Sequence, residues 1–311
     1  SKCKEEYDNY SPVAFLSGSP YMKIWYRVDR TYSVPKTISH IHLMSSLVRG
    51  TVAEVFALNI FYNYLQLRFD NSFGDLYDAK GEMSLSVDNE GFDIVVNSYS
   101  DLTKKIVDSI VDILLNDTLY MNEEKYDEVY DYVVEIIKMR KNNGPAIKSR
   151  EMFDKVIKAN VSLLYELESL IGQNKYKLSY TKYRKIIKSF KRSMLINALL
   201  YGDVSYDDIS TYNVTLSYLS RLNTQSLNST KMIEDLLAHK ELNGSLVIRR
   251  KNDLSFERND IVDNYYQICH IDNTSKIVDV YLLKGIWGNI FSYFFQNENQ
   301  IAFSVIDEVN V

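Results

Sequence analysis

Glycine and proline are scarce, at 11 and 4 of 311 residues. Together they make up about 5% of the chain, against a usual share of roughly 12%. So few turn residues exclude a many-turned β-sandwich and a glycine-dependent nucleotide binder, and they imply long helices. Cysteine is scarcer still. Cys3 and Cys269 lie far apart, which excludes a disulfide framework and a zinc-ribbon spacing. One long-range disulfide stays open as an alternative to two unpaired thiols. No run of 18 apolar residues occurs, so the sequence offers no transmembrane helix. An excess of positive charge is also missing. Lys+Arg 36 against Asp+Glu 41 gives a net charge of −5, and a chain without a basic balance is not expected to bind nucleic acid. The start, Ser1-Lys-Cys-Lys-Glu-Glu, is no signal peptide. It reads as a boundary inside a longer protein.

What is present is ordinary for a globular chain: 46% hydrophobic and 25% charged residues. The length suits about two domains. Met22-Lys-Ile-Trp-Tyr-Arg-Val28 alternates and is rich in aromatic and β-branched residues, so it predicts a strand. Val34-Pro35-Lys36 interrupts, and 37–43 alternates again, placing Ile38, His40 and His42 on one face. Apolar residues at helical spacing predict a helix over 50–69. Residues 83–87 and 92–96 form the clearest hairpin, with Asp88-Asn-Glu-Gly91 as a turn in which Gly91 supplies a positive φ. Ser100-Asp101 offers a side-chain cap to a helix through Leu115. Further helices are expected at 123–141, 148–171, 179–192, 205–220 and 274–295. Strands are expected at 194–200, 245–250, 263–271 and 300–306. The polar, aperiodic stretch around 222–231 reads as a linker. The resulting class is α+β: a sheet covered by amphipathic helices over 1–222, a linker at 223–239, and the start of a second similar domain at 240–311.

Chemistry-bearing motifs are sparse. The histidines are His40, His42, His239 and His270, and none stands in His-Glu-x-x-His or His-x-x-Glu-His spacing. His40 and His42 can bind a metal if a third ligand approaches, but no neighbour supplies one at a recognised spacing. The expectation is therefore a solvated strand face and no zinc. Cys269 and His270 are adjacent, so on a strand they point to opposite faces and make a poor catalytic pair. The acidic stretch 117–131 and the basic run 182–192 read as helix surfaces, the latter with Ile186, Ile187 and Phe190 as its buried stripe. No nucleophile elbow or phosphate loop is present.

The order of several loose motifs is nonetheless specific. Lys23-Ile-Trp-Tyr-Arg-Val-Asp-Arg followed by Val34-Pro35-Lys36 and a strand resembles the opening of the third domain of insulin-degrading-enzyme-type peptidases. These are the insulinase or pitrilysin-like zinc metallopeptidases. Next come the helix 52–69, Leu76-Tyr77-Asp78-Ala79 and the hairpin 84–97. Ser98-Tyr99-Ser100-Asp101 resembles the family's Gly-Tyr-Asn-Asp-Lys helix start. Leu199-Leu-Tyr-Gly-Asp203 resembles its Leu-Leu-His-Gly-Asn strand end. The likeness runs over about 20–215 and weakens towards 311.

That resemblance implies four similar α+β domains forming two halves around an enclosed chamber. Zinc and its His-x-x-Glu-His helix belong to the first domain, so this chain would carry no zinc. As a C-terminal-half portion it would wall the chamber and help hold peptide substrates. Its partner would be the N-terminal catalytic half. The family's fourth domain carries an Arg and a Gln-Leu-Gly-Tyr segment that bind substrate and stabilise the transition state. Here Gln296 falls at the Arg, and Gln300-Ile-Ala-Phe303 at the segment, so Phe303 replaces the Tyr. The alternative is a catalytically inactive homologue acting as an interaction or scaffold protein.

Overall fold

A computed structural model describes residues 14–29, 34–78, 81–117, 121–140, 177–223 and 274–294, with isolated positions at 149, 152, 153, 156, 157, 167, 171 and 232. The chain divides into two compact units, Ser1–Ile261 and Val262–Val311. In the first, six strands form one sheet: β1 (Ala14–Ser19), β2 (Met22–Val28), β3 (Lys36–Met44), β4 (Glu82–Val87), β5 (Gly91–Tyr99) and β6 (Leu195–Gly202). Their order is β1-β2-β6-β3-β5-β4. Only the β2–β6 pair is parallel; every other neighbouring pair is antiparallel. Strand β1 was not expected from the sequence, and its register shifts between Ser17 and Ser19.

Alternation in β3 and β5 makes the sheet two-faced. Ile41, Leu43, Phe92, Ile94 and Val96 point into the core, and their neighbours point outward. The helices α1 (Val52–Asp78), α2 (Ser100–Leu115), α3 (Glu123–Arg140), α4 (Tyr180–Ser193) and α5 (Tyr206–Ser220) bury that core. The stripe expected on α2 is present: Ile106, Val107, Ile110, Val111 and Leu114 are all buried. Phe61 of α1, Phe92 of β5 and Phe190 of α4 meet edge to face, with centroids 5.2–6.1 Å apart. Such contacts favour one relative placement of the three elements beyond simple area burial. Helix α3 lies farther from the sheet among the described elements. Its principal neighbour is α1, so it forms an outer layer.

Four expectations need correction. Helix α1 runs to Asp78 rather than 69, bending at Phe73 (φ −123, ψ 16). Phe73 and Leu76 are buried, and that burial carries the helix past a polar stretch. Helix α2 is not capped by Ser100 or Asp101; its N-cap is Tyr99, which makes no side-chain cap bond. The Ser100 hydroxyl instead sits 3.0 Å from Thr37 Oγ1. Gly91 is not at positive φ; that conformation falls on Gly202, at φ +130. Gly91 is required by a close approach, because a Cβ there would meet the Leu43 carbonyl oxygen at 2.0 Å. Finally, Lys191 is no surface lysine. Its ammonium donates to the Leu114 carbonyl and pairs with the Asp117 carboxylate. Burial lowers its pKa, and the Asp117 charge only partly opposes this.

The second unit is described through one helix, α6 (Thr274–Ser292). Its apolar residues Leu282, Ile286 and Ile290 are exposed. The strands expected at 245–250, 263–271 and 300–306, most of the helix expected at 148–171 and most of the linker lie outside the described residues.

Candidate functional site

The face of the sheet turned away from the helices presents three rows of side chains, set by strand register. The first is Lys23, Asn197, His42, Asp93 and Ser86, in order across β2, β6, β3, β5 and β4. The second is Trp25, Leu199, His40, Val95 and Ser84. The third is Arg27, Tyr201, Ile38, Asn97 and Glu82. None of these side chains is fully buried. An antiparallel sheet with one covered face usually leaves a polar face to water. Here the polar groups are tied together, and aromatic rings stand among them. Trp25 Nε1 donates to Asn197 Oδ1 at 3.1 Å, with 39% of Trp25 exposed. The Arg27 guanidinium lies 5.9 Å from the Tyr201 ring centroid, within cation–π range.

The most concentrated chemistry lies where β3 meets β5. His40 Nε2 is 2.6 Å from Asp93 Oδ1. His42 stands directly opposite Asp93 in the register. Asp88, in the turn before β5, completes a group in which one ligand atom each from His42, Asp88 and Asp93 lie within 4.8 Å of one another. The expectation that His40 and His42 share a face is met, and the carboxylates that sequence spacing did not bring to His42 stand beside it. One signal was available. Asp93 alternates with the core residues Phe92 and Ile94, so it had to face the same side as any outward histidine on a paired strand.

A second concave place lies among β3, β6, α2 and α5, lined by Thr37, Ser100, Asp108, Asp203, Tyr212 and Thr215. Its volume of about 20 Å³ suits a single water rather than a substrate. Its polar groups serve packing: Thr215 Oγ1 donates to Asp108 Oδ1 at 2.6 Å, and Tyr212 Oη lies 2.9 Å from the buried Ser39 Oγ, where burial raises the Tyr212 pKa. The sequence-derived substrate residues Gln296 and Phe303 lie outside the described residues, as do Cys3, Cys269, His239 and His270.

The six-stranded mixed sheet with helices on one face defines an α+β domain. The description "middle or third domain of peptidase_M16" matches residues 2–167, slightly over half of the chain, and the chain belongs to that metallopeptidase family. Among curated relatives, a nardilysin-like protein of Arabidopsis thaliana is 21% identical over 277 residues, covering 87% of this chain and 26% of the relative. Nardilysin of Homo sapiens is 23% identical over 244 residues, covering 76% of this chain and 19% of the relative. The chain thus spans about a quarter or less of the length of these relatives. A crystal structure of pitrilysin superposes with a TM-score of 0.57 at 11% identity, covering 70% of this chain and 22% of that chain. The fold is therefore insulinase-like.

Proposed function

We propose that this chain is a non-catalytic, C-terminal-half portion of an insulinase-like zinc metallopeptidase. It forms part of the wall of the substrate chamber and helps hold peptides. It hydrolyses no peptide alone, and the catalytic zinc and its ligands reside in the N-terminal half, the partner of this chain. The division into a complete domain at 1–222 and the start of another at 240–311 is part of the same reading. The observation that carries it is the middle-domain match over 2–167. The sheet face that no described helix covers supports it. Mixed aromatic and polar rows suit extended peptides, whose backbone amides need hydrogen-bond partners and whose side chains need apolar contact.

Peptide hydrolysis at zinc builds negative charge on the scissile carbonyl oxygen, and fixed donors aimed at it lower the barrier. If Gln296 and Phe303 occupy the positions of the family's Arg and Tyr, one donor is neutral and the other is absent. Losing one such donor commonly costs about 10²–10³ in kcat. That observation favours a second reading, an inactive homologue serving as an interaction or scaffold protein. One assay separates them. The zinc-bearing half is combined with this chain and assayed on a quenched peptide, with and without Gln296→Arg plus Phe303→Tyr. Activity that rises in the double variant supports the peptidase reading with weakened transition-state contacts. Tight association of the halves without activity in either form supports the scaffold. Hydrolysis by this chain alone would overturn both.

A further inference from the structure

We infer that His42, Asp88 and Asp93 form a binding site for a divalent transition-metal ion on the open face of the sheet. The expectation of a metal-free strand face rested on the absence of a third ligand. The fold brings two carboxylates to His42, and one atom from each of the three residues lies within 4.8 Å of the others. Ligands at zinc distances of about 2.0–2.2 Å sit roughly 3.3–3.6 Å apart in a tetrahedron.

A separate observation points to a missing ligand. His42 Nε2 is shut off from solvent and has no hydrogen-bond partner. An imidazole nitrogen in that condition has lost water and gained nothing. The two carboxylates are also short of compensation. Among the described residues Asp88 has no ion pair, and Asp93 has only His40. Two carboxylates held close repel each other, and a dication offsets both.

The surroundings hold the donors in place. His40 Nε2 fixes Asp93 through the 2.6 Å contact to Oδ1, the kind of outer partner that orients metal-bound carboxylates. Asp88 Oδ1 accepts from the backbone amides of Glu90 at 2.7 Å and Gly91 at 2.9 Å, leaving Oδ2 for an ion. The turn itself is anchored. Ser45 N donates to Glu90 O at 2.9 Å and Arg49 Nε to Asn89 O at 2.7 Å. One imidazole nitrogen and two carboxylate oxygens select zinc, cobalt or manganese over magnesium and calcium, which prefer oxygen alone. Three protein donors leave at least one position for water or for a carbonyl or carboxylate oxygen lying against this face.

The test titrates Zn²⁺ and Mg²⁺ into the chelator-treated chain by calorimetry and follows the His42 ring protons by NMR. The expected result is one equivalent of Zn²⁺, bound in clear preference to Mg²⁺, with the His42 ring resonances shifted. Asp88→Asn keeps the acceptor for the Glu90 and Gly91 amides while removing the charge, so the turn survives; it should raise the Zn²⁺ Kd about tenfold or more. His42→Gln should abolish the stoichiometric step, and His40→Gln should weaken it by roughly tenfold, as loss of an outer partner does. Zn²⁺ binding with unshifted His42 resonances, or with the same Kd in Asp88→Asn, would overturn the proposal. So would no stoichiometric binding, or equal affinity for Mg²⁺. If His42→Gln fails to fold, Asp88→Asn and the His42 resonances decide the matter.

Discussion

Lys191→Met is the most informative perturbation of the fold. The Lys191 and Asp117 side chains are only 13% and 4% exposed. Replacing the lysine removes the ammonium that faces the Asp117 carboxylate and the Leu114 carbonyl at the end of α2. It leaves a carboxylate buried without a partner, which costs about 3–5 kcal/mol. The lost helix-end contact is part of that figure rather than an addition to it, because both bonds end on one nitrogen. Burial outweighs the attraction of Asp117 and lowers the Lys191 pKa, and replacing a buried ion pair as a whole by apolar side chains is often neutral or stabilising. Lys191→Met combined with Asp117→Leu is therefore expected to return to within about 1–2 kcal/mol of the parent, or above it. The sign of the pH effect follows from the lowered pKa. Between the folded value and the unfolded value near 10.4, the unfolded chain binds more protons. The Lys191 contribution to stability then rises with pH across that window, and Lys191→Met loses the rise. Urea unfolding followed by far-ultraviolet circular dichroism, at neutral and alkaline pH, measures all three quantities. A single variant within about 1 kcal/mol of the parent would refute the reasoning, as would a double variant no more stable than the single one.

Three smaller predictions use the same urea assay. Ile110→Ala, at a fully buried position on α2, should cost about 2–5 kcal/mol through lost transfer energy and a cavity; an unchanged transition would show that α2 is not a core helix. Gly202→Ala should cost about 1–3 kcal/mol, since φ is +130 and a Cβ would meet the Lys36 carbonyl oxygen at 2.3 Å; a stabilised variant would contradict that backbone. Ser205→Ala removes one half of the capping box with Asp208 at the start of α5 and should cost about 0.5–2 kcal/mol, whereas a neutral result would mean that the helix end is satisfied another way.

The sheet was legible wherever one periodicity dominated. Strands β2 to β6 and the α2 stripe follow from alternation and from 3.6-residue spacing, because one face of each is buried and the other is not. Strand β1 was missed because Ser17, Gly18 and Ser19 blur its alternation, and pairing with β2 rather than its own pattern makes it a strand. Lys191 was misread because its burial depends on the end of α2 and on Asp117, 74 residues away in sequence. The same limit applies to the open face. His40 and His42 were visible as a pair, and alternation set the face of Asp93, but its place opposite His42 follows from the β3–β5 register and that of Asp88 from the turn before β5, neither of which a local pattern encodes. The Gly91 role was misassigned for a related reason. The constraint is the approach of a neighbouring strand, not the geometry of the turn.

The place of β6 has a consequence for how this sheet assembles. It lies between β2 and β3, yet it is made last, and its contacts reach across 172 residues to β2. Until residue 202 leaves the ribosome, the β1–β2 hairpin and the three-stranded β3–β5–β4 segment each present a bare backbone edge to their surroundings. Long-range pairing of this kind is slow, because loop closure must precede any reward. Both edges are templates for strand addition from another chain. Newly synthesised copies would thus depend on chaperone cover over much of their translation. Truncations that end before 195 should accumulate as aggregates even though they contain most of the hydrophobic core.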